Sequence, residues 1–214
     1  LFIRFAGCPF SCFYCDTPDA LPSDSGKEYS ISEACNLIDK NLQNNTYKVN
    51  FTGGEPLVQH ESVSELAKYI KSKGILTYLE SSCFDSQKFS YVLPSIDFVK
   101  IEFKTKDSEM VDTKHYTDLM KNTLECLHAS IEMKKITYIK IVVSSKTELD
   151  NLKTLLEQIF KIASRETISG FIIQPTYGVS EPSLEKLLEF YDLVYPYYRD
   201  VRVIPQLQKI IDVP

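Results

Sequence analysis

The sequence predicts an α/β fold in which about six parallel strands alternate with helices that lie outside them. Three observations lead to it. Short apolar runs rich in β-branched and aromatic residues recur along the chain. Each is followed by a segment with apolar residues at helical spacing. The residues least suited to a core, namely cysteines, paired glycines and charged groups, fall just after the apolar runs, where α/β proteins place their chemistry. An open sheet and a partial barrel fit this alternation equally well, and 214 residues suit one domain with its own core.

In order, "LFIRFA" is the first strand and leads into a cysteine-rich loop. The first helix is "SISEACNLIDKNLQ", with Ser30 and Glu33 as a capping box and Ala34, Leu37, Ile38 and Leu42 on one face. "YKVNF" is a strand ending at "TGGEPL"; "SVSELAKYIKSKG" is an amphipathic helix stopped by Gly74. "ILTYLE" is the third strand, "SQKFSYVL" a short helix before Pro94, and "IDFVKIEF" the fourth strand. "DLMKNTLECLHASIEM" is helical, "ITYIKIVV" a strand, and "TELDNLKTLLEQIFKIAS" a long helix with Thr147 as its expected cap. "GFIIQP", "SLEKLLEFYDLVY" and "DVRVIP" close the chain as strand, helix and strand.

Composition narrows the function. A formal net charge of -5 leaves no broad basic footprint for nucleic acid. No apolar run reaches membrane-spanning length, and neither a signal peptide nor a second domain is visible. A chain this long needs no disulfide staples, so a reducing compartment, the cytoplasm, is expected for its six cysteines. Cys35 and Cys126 sit in helical patterns as small apolar residues. Cys8, Cys12 and Cys15 are different: they stand in C-x3-C-x2-C spacing within one loop. A structural zinc site wants four ligands, usually with a second distant pair. No such pair follows, and His60, His115 and His128 are scattered. Three thiolates suit a cubic iron–sulfur cluster with one iron left open.

"CPFSCFYC" resembles the signature of the radical S-adenosylmethionine superfamily, and "TGGEP" at 52–56 resembles its glycine-rich motif for the methionine amino group. "RFAGCPFSCFYCDT" and the closing "RVIPQLQKIIDVP" further resemble the 7-carboxy-7-deazaguanine synthase family, with the likeness running over essentially the whole chain. The expected fold is then a partial (β/α) barrel forming a single radical domain over 1–214, with the cluster loop after the first strand.

The resemblance implies a 4Fe-4S cluster on Cys8, Cys12 and Cys15. It implies S-adenosylmethionine at Tyr14, Gly54, Glu55, Glu80, Ser81, Glu102, Phe103, Lys104, Gln174, Pro175, Thr176 and Tyr177. It implies Mg2+ on Thr17, and substrate at Arg4, Thr52, Gln208 and the terminal carboxylate of Pro214. The implied reaction converts 6-carboxy-5,6,7,8-tetrahydropterin to 7-carboxy-7-deazaguanine with loss of ammonia, on the route to queuosine and archaeosine. A flavodoxin or ferredoxin as electron donor and a homodimer are implied with it. The chain departs from the family in three places. Glu102-Phe103-Lys104 stands for the usual Ser-Pro-Lys, and Gln208 for a histidine. The stretch ending in Gln-Gly-Glu-Gly before the first strand has no counterpart here. A glycyl-radical-enzyme activating enzyme and a non-enzymatic iron–sulfur binder are the competing expectations.

Overall fold

The computed structural model describes residues 1–108 and 113–211. Seven strands form one sheet: β1 (Phe2–Phe5), β2 (Lys48–Gly53), β3 (Leu76–Ser81), β4 (Phe98–Phe103), β5 (Ile136–Val143), β6 (Gly170–Pro175) and β7 (Val201–Val203). Their spatial order is their chain order, and every adjacent pair is parallel. The sheet is therefore wound in one direction, with β1 and β7 as its two ends. The count is seven rather than about six, because the short last run also joins the sheet through Phe171↔Val201 and its neighbours.

Helices α1 (Ile31–Asn41), α2 (His60–Ser72), α3 (Ser86–Val92), α4 (Thr113–Glu132), α5 (Leu149–Ile159) and α6 (Leu184–Val194) connect successive strands, and the one-turn α7 (Leu207–Ile210) follows β7. Local chemistry sets several of their ends. At α1 the Ser30 hydroxyl accepts from Glu33 N–H while the Glu33 carboxylate accepts from Ser30 N–H. Gly74, at φ +74°, ends the second helical segment. Thr147 does not cap α5. That helix begins one residue later, behind Glu148, and the Thr147 hydroxyl instead donates to Asp107 Oδ2 at 2.8 Å.

Strand alternation divides the sheet into two faces. Val49, Phe51, Leu79, Val99, Ile101, Phe103, Ile139, Ile141, Phe171 and Ile173 are essentially fully buried in the core with the helices. Burying each such side chain contributes about 1.5–3 kcal/mol. The intervening positions, Glu80, Lys100, Glu102, Lys140 and Gln174 among them, point to the opposite side, where a cleft lies. Cys126 is fully buried as expected, against the Cys83 carbonyl, and Cys35 is half-buried.

At the amino ends of the strands, away from the cleft, Asp97 ties β4 to β3. Its Oδ2 accepts from Thr77 N–H at 2.9 Å and from Thr77 Oγ1 at 3.0 Å, and the carboxylate pairs with Lys71 of α2. Burial pushes this carboxyl up, but Lys71 and Thr77 together bring it below its ordinary value of 3.8. A depressed folded-state value stabilises the fold above the ordinary value, and the contribution is lost as pH falls through the folded value. Asp97→Asn is expected to cost about 1.5–3 kcal/mol in urea unfolding at pH 7. The gap to the parent should close in strong acid; a gap independent of pH would refute the linkage.

Candidate functional site

The site grows from the carboxyl end of β1. Gly7, at φ +97°, turns the chain where a side chain would be strained. Gly7 N–H donates to Ala20 O at 2.9 Å and Cys8 N–H to Leu21 O at 3.0 Å, closing the loop that carries Cys8, Cys12 and Cys15. All three thiols are half-buried and free, and all line one cleft of about 730 Å³. Among the described residues no three His, Cys, Asp or Glu side chains converge where a single metal ion would sit. A cluster presents separate irons to separate thiolates and does not need that convergence. Burial pushes the Cys8 thiol up to about 11 and raises Cys12 as well. Loading iron onto them therefore releases protons. The donor set, three soft sulfurs in a closed loop on the cleft wall, fits an iron–sulfur cluster.

The second loop is fastened to the first. A Cβ on Gly53, at φ +140°, would lie 2.2 Å from Phe5 O, and one on Gly54 would lie 2.4 Å from Gly7 O. The paired glycines thus admit the cluster loop's own backbone. Gly54 N–H donates to Phe5 O and Glu55 N–H to Gly7 O, each at 2.9 Å. Glu55 is buried, and its carboxylate is fully engaged. Oε1 accepts from Leu57 N–H at 3.1 Å and Ser81 Oγ at 2.7 Å; Oε2 accepts from Ser82 N–H at 2.8 Å and Ser82 Oγ at 2.6 Å. Burial raises this carboxyl, with the serines working against the rise. Its geometry orders the loop and binds it to the end of β3.

The cleft floor is charged. Glu80 pairs with Lys100, and Glu102 pairs with Lys104 and, at 2.5 Å, with Lys140. Lys140 also donates to Gln174 Oε1 at 3.2 Å. Burial would raise Glu102, but the two lysines hold it well below the usual carboxylate range. Burial, followed by the charge of Lys140, depresses Lys100, with Glu80 opposing. At the other wall a hydrogen-bonded chain crosses the site: Arg4 Nη1 donates to Thr17 Oγ1 at 3.2 Å, Thr17 Oγ1 to Asp16 Oδ1 at 3.0 Å, and Gln208 Nε2 to Asp16 Oδ2 at 2.7 Å.

The residues singled out from sequence gather here with a few exceptions. Arg4, the three cysteines, Tyr14, Thr17, Thr52, Gly54, Glu55, Glu80, Ser81, Glu102, Lys104, Gln174 and Gln208 all line the cleft. Phe103 does not: one position out of phase on β4, its side chain is fully buried in the core. Pro175 and Thr176 lie at the end of β6 outside the lining, with the Thr176 hydroxyl donating to Ser180 O at 3.1 Å. Tyr177 is exposed, and its N–H donates to Gln206 Oε1 at 3.2 Å. Pro214 lies outside the described residues. The sequence reading missed Lys100, Lys140, Ser82 and Gln206. Alternation would have found the two lysines, since they share a strand face with Glu102 and Tyr138.

Fold and cleft together define a parallel α/β protein shaped to hold an iron–sulfur cluster on three cysteines at its strand ends. Residues 1–133 match the model of a family described as "4Fe-4S single cluster domain". Similar curated proteins include the 7-carboxy-7-deazaguanine synthase of Methanocaldococcus jannaschii, 28% identical over 225 residues that span 99% of this chain and 90% of that one. The enzyme of the same name from Archaeoglobus fulgidus is 29% identical over 219 residues, 100% of this chain and 89% of that one. Among solved structures, Streptococcus suis SuiB bound to precursor peptide SuiA superposes with a TM-score of 0.68 at 13% identity, over 99% of this chain and 50% of that one. A domain of pyruvate-formate lyase-activating enzyme from Bacteroides vulgatus gives 0.58 at 20% identity, over 73% and 97%. The chain belongs to the 4Fe-4S single-cluster family, and its likeness to curated 7-carboxy-7-deazaguanine synthases runs over essentially its whole length. No helix among the described residues is long and apolar enough to cross a membrane.

Replacing Glu55 with glutamine sets an amide NH2 against donors that now share a carboxylate. Glu55→Gln is expected to lose about 1–3 kcal/mol in urea unfolding. A variant as stable as the parent would show that the Glu55 carboxylate does not bind this loop to the end of β3.

Proposed function

We propose that this chain converts 6-carboxy-5,6,7,8-tetrahydropterin to 7-carboxy-7-deazaguanine with loss of ammonia, in the synthesis of queuosine- or archaeosine-type tRNA bases. The observation that supports this most is the chain from Arg4 through Thr17 and Asp16 to Gln208, built from both ends of the polypeptide beside the three cysteines. Its donors and acceptors suit a small, polar, carboxylated substrate, and a cleft of about 730 Å³ is in the range of small-molecule sites.

When bound, the cluster and S-adenosylmethionine supply reductive sulfonium cleavage and hence hydrogen-atom abstraction from the substrate. The protein's own residues bind and orient. Arg4 offers a planar fork to the substrate carboxylate. Thr17, giving its hydrogen to Asp16, would offer its remaining lone pair to a hard cation such as Mg2+, which would supply positive charge for substrate oxygens. Thr52, on the same wall, contacts the substrate, and Gln208 positions without titrating. Gly54, Glu102, Lys104 and Gln174, which all line the cleft, would receive S-adenosylmethionine. A flavodoxin- or ferredoxin-type protein supplies electrons, and the working form is a homodimer.

Incubating cluster-reconstituted protein with S-adenosylmethionine, reductant, Mg2+ and the carboxy-tetrahydropterin is expected to yield the deazaguanine acid by mass spectrometry. Cluster-loaded protein that cleaves S-adenosylmethionine yet yields none of it would reject the substrate assignment. Thr17→Ala is expected to weaken Mg2+ stimulation of turnover about tenfold or more while leaving the cluster absorption spectrum intact, the scale of losing a bond to a charged ligand. An unchanged Mg2+ response would remove Thr17 as the ligand.

A further inference from the structure

Lys104 is the most deeply buried lysine of the cleft's cysteine side. It stands just past the end of β4 beside the cluster loop and is only 9% exposed, where lysines are almost never found unless paired. Its ammonium is ion-paired to Glu102 and lies 5.3 Å from the centroid of the Tyr14 ring, between the second and third cysteines in sequence. It lines the same cleft as Cys12, and its charge opposes the effect of burial on that thiol. The position is rigid: Tyr116 of α4 donates its hydroxyl to the Lys104 carbonyl at 2.8 Å. Glu102 is shared with Lys140, which is anchored to Gln174 on β6. A line of charge therefore runs from a cluster cysteine through Lys104, Glu102 and Lys140 to the far side of the cleft. A solvated lysine at a strand end would need none of these partners.

We propose that Lys104 sets the reduction potential of the iron–sulfur cluster and that Glu102 moderates the setting. The inference rests on the reading of Cys8, Cys12 and Cys15 as cluster ligands, and on nothing about the substrate. Reduction adds one electron to a centre that thiolate ligation already makes anionic. A fixed ammonium beside the cluster loop favours the reduced form. Burial keeps solvent and salt from screening that charge. Glu102 carries the opposite charge next to the same ammonium, so it opposes the effect. The two side chains thus act on the potential with opposite signs, which a general loosening of the loop would not produce.

The test is a potentiometric titration of the reconstituted full chain followed by electron paramagnetic resonance, with iron and sulfide counted for each variant. Lys104→Met is expected to lower the equilibrium constant for cluster reduction by about tenfold or more, a shift of ~59 mV to more negative potential for a one-electron couple. Lys104→Arg should stay near the parent, and Glu102→Gln should move the potential in the positive direction. Equal potentials for fully loaded parent and Lys104→Met overturn the proposal, as does a Glu102→Gln shift that is absent or negative. Should Lys104→Met fail to load, the sign of the Glu102→Gln shift decides alone. A parent that assembles no cluster would overturn the proposal together with the cysteine assignment, whereas a loaded parent that makes no deazaguanine product would leave the potentials measurable and the inference standing.

Discussion

Two backbone hydrogen bonds, from Gly54 to Phe5 and from Glu55 to Gly7, are the constraint on which the rest of the site depends. A parallel sheet sets its strand ends side by side about 4.8 Å apart but does nothing to fix the loops that leave them. Here the loops after β1 and β2 are pressed together so closely that no side chain fits at residues 53 and 54. Glu55 then carries the tie across to Ser81 and Ser82 at the end of β3. Three successive strand ends become one body, and the cysteines sit on it. The glycines do not simply leave room for a ligand; they let the protein's own backbone build the wall against which a ligand would lie.

The second organising fact is electrostatic. Strands of a parallel sheet covered on both faces usually read as continuous apolar runs. The helix-facing side of this sheet obeys that rule, while the cleft side carries Glu80, Lys100, Glu102 and Lys140. Taking such groups out of water costs several kcal/mol each, and pairing them rarely betters apolar packing. Charges retained in such a place point to function, and so does their asymmetry. On the same segment Lys100 is depressed by burial and by Lys140, whereas Lys104, despite burial, is held well above the usual lysine range by Glu102. Four residues apart, one ammonium is made easier to deprotonate and the other harder, because Glu102 lies beside the second.

How much was legible in the sequence follows from how local each determinant is. The Ser30–Glu33 box, the Gly74 stop and the strand runs depend on neighbours within a few residues, and they fall where the pattern put them. Thr147 was the expected cap of its helix, but its hydroxyl is taken by Asp107, forty residues away in the chain. Phe103 entered the candidate site through its place in a three-letter motif, although period-two alternation with Ile101 already assigns it to the core. The same alternation, applied to Glu102, would have exposed Lys100 and Lys140. Motif letters located the site well; they were blind to which face of a strand each letter occupied.

The end of the chain shows how the site and the fold depend on each other. Helix α7 is one turn long and leaves Leu207, Ile210 and Ile211 exposed, so apolar burial does little to hold it. What places it is polar: Gln208 to Asp16, Gln206 to the Tyr177 N–H, and Lys209 to the Tyr177 carbonyl at 3.3 Å. Single bonds of this kind are each worth only about 0.5–1.5 kcal/mol. Closing a loop of 192 residues for one of them is favourable only because the sheet is all parallel, so the segments that follow β1 and β7 emerge on the same side of it. An amide at position 208 keeps that bond over the whole pH range in which a histidine would change its charge. The amide is a clasp that carries no charge of its own, and the last segment becomes part of the wall of the cleft once the cluster loop is in place to receive it.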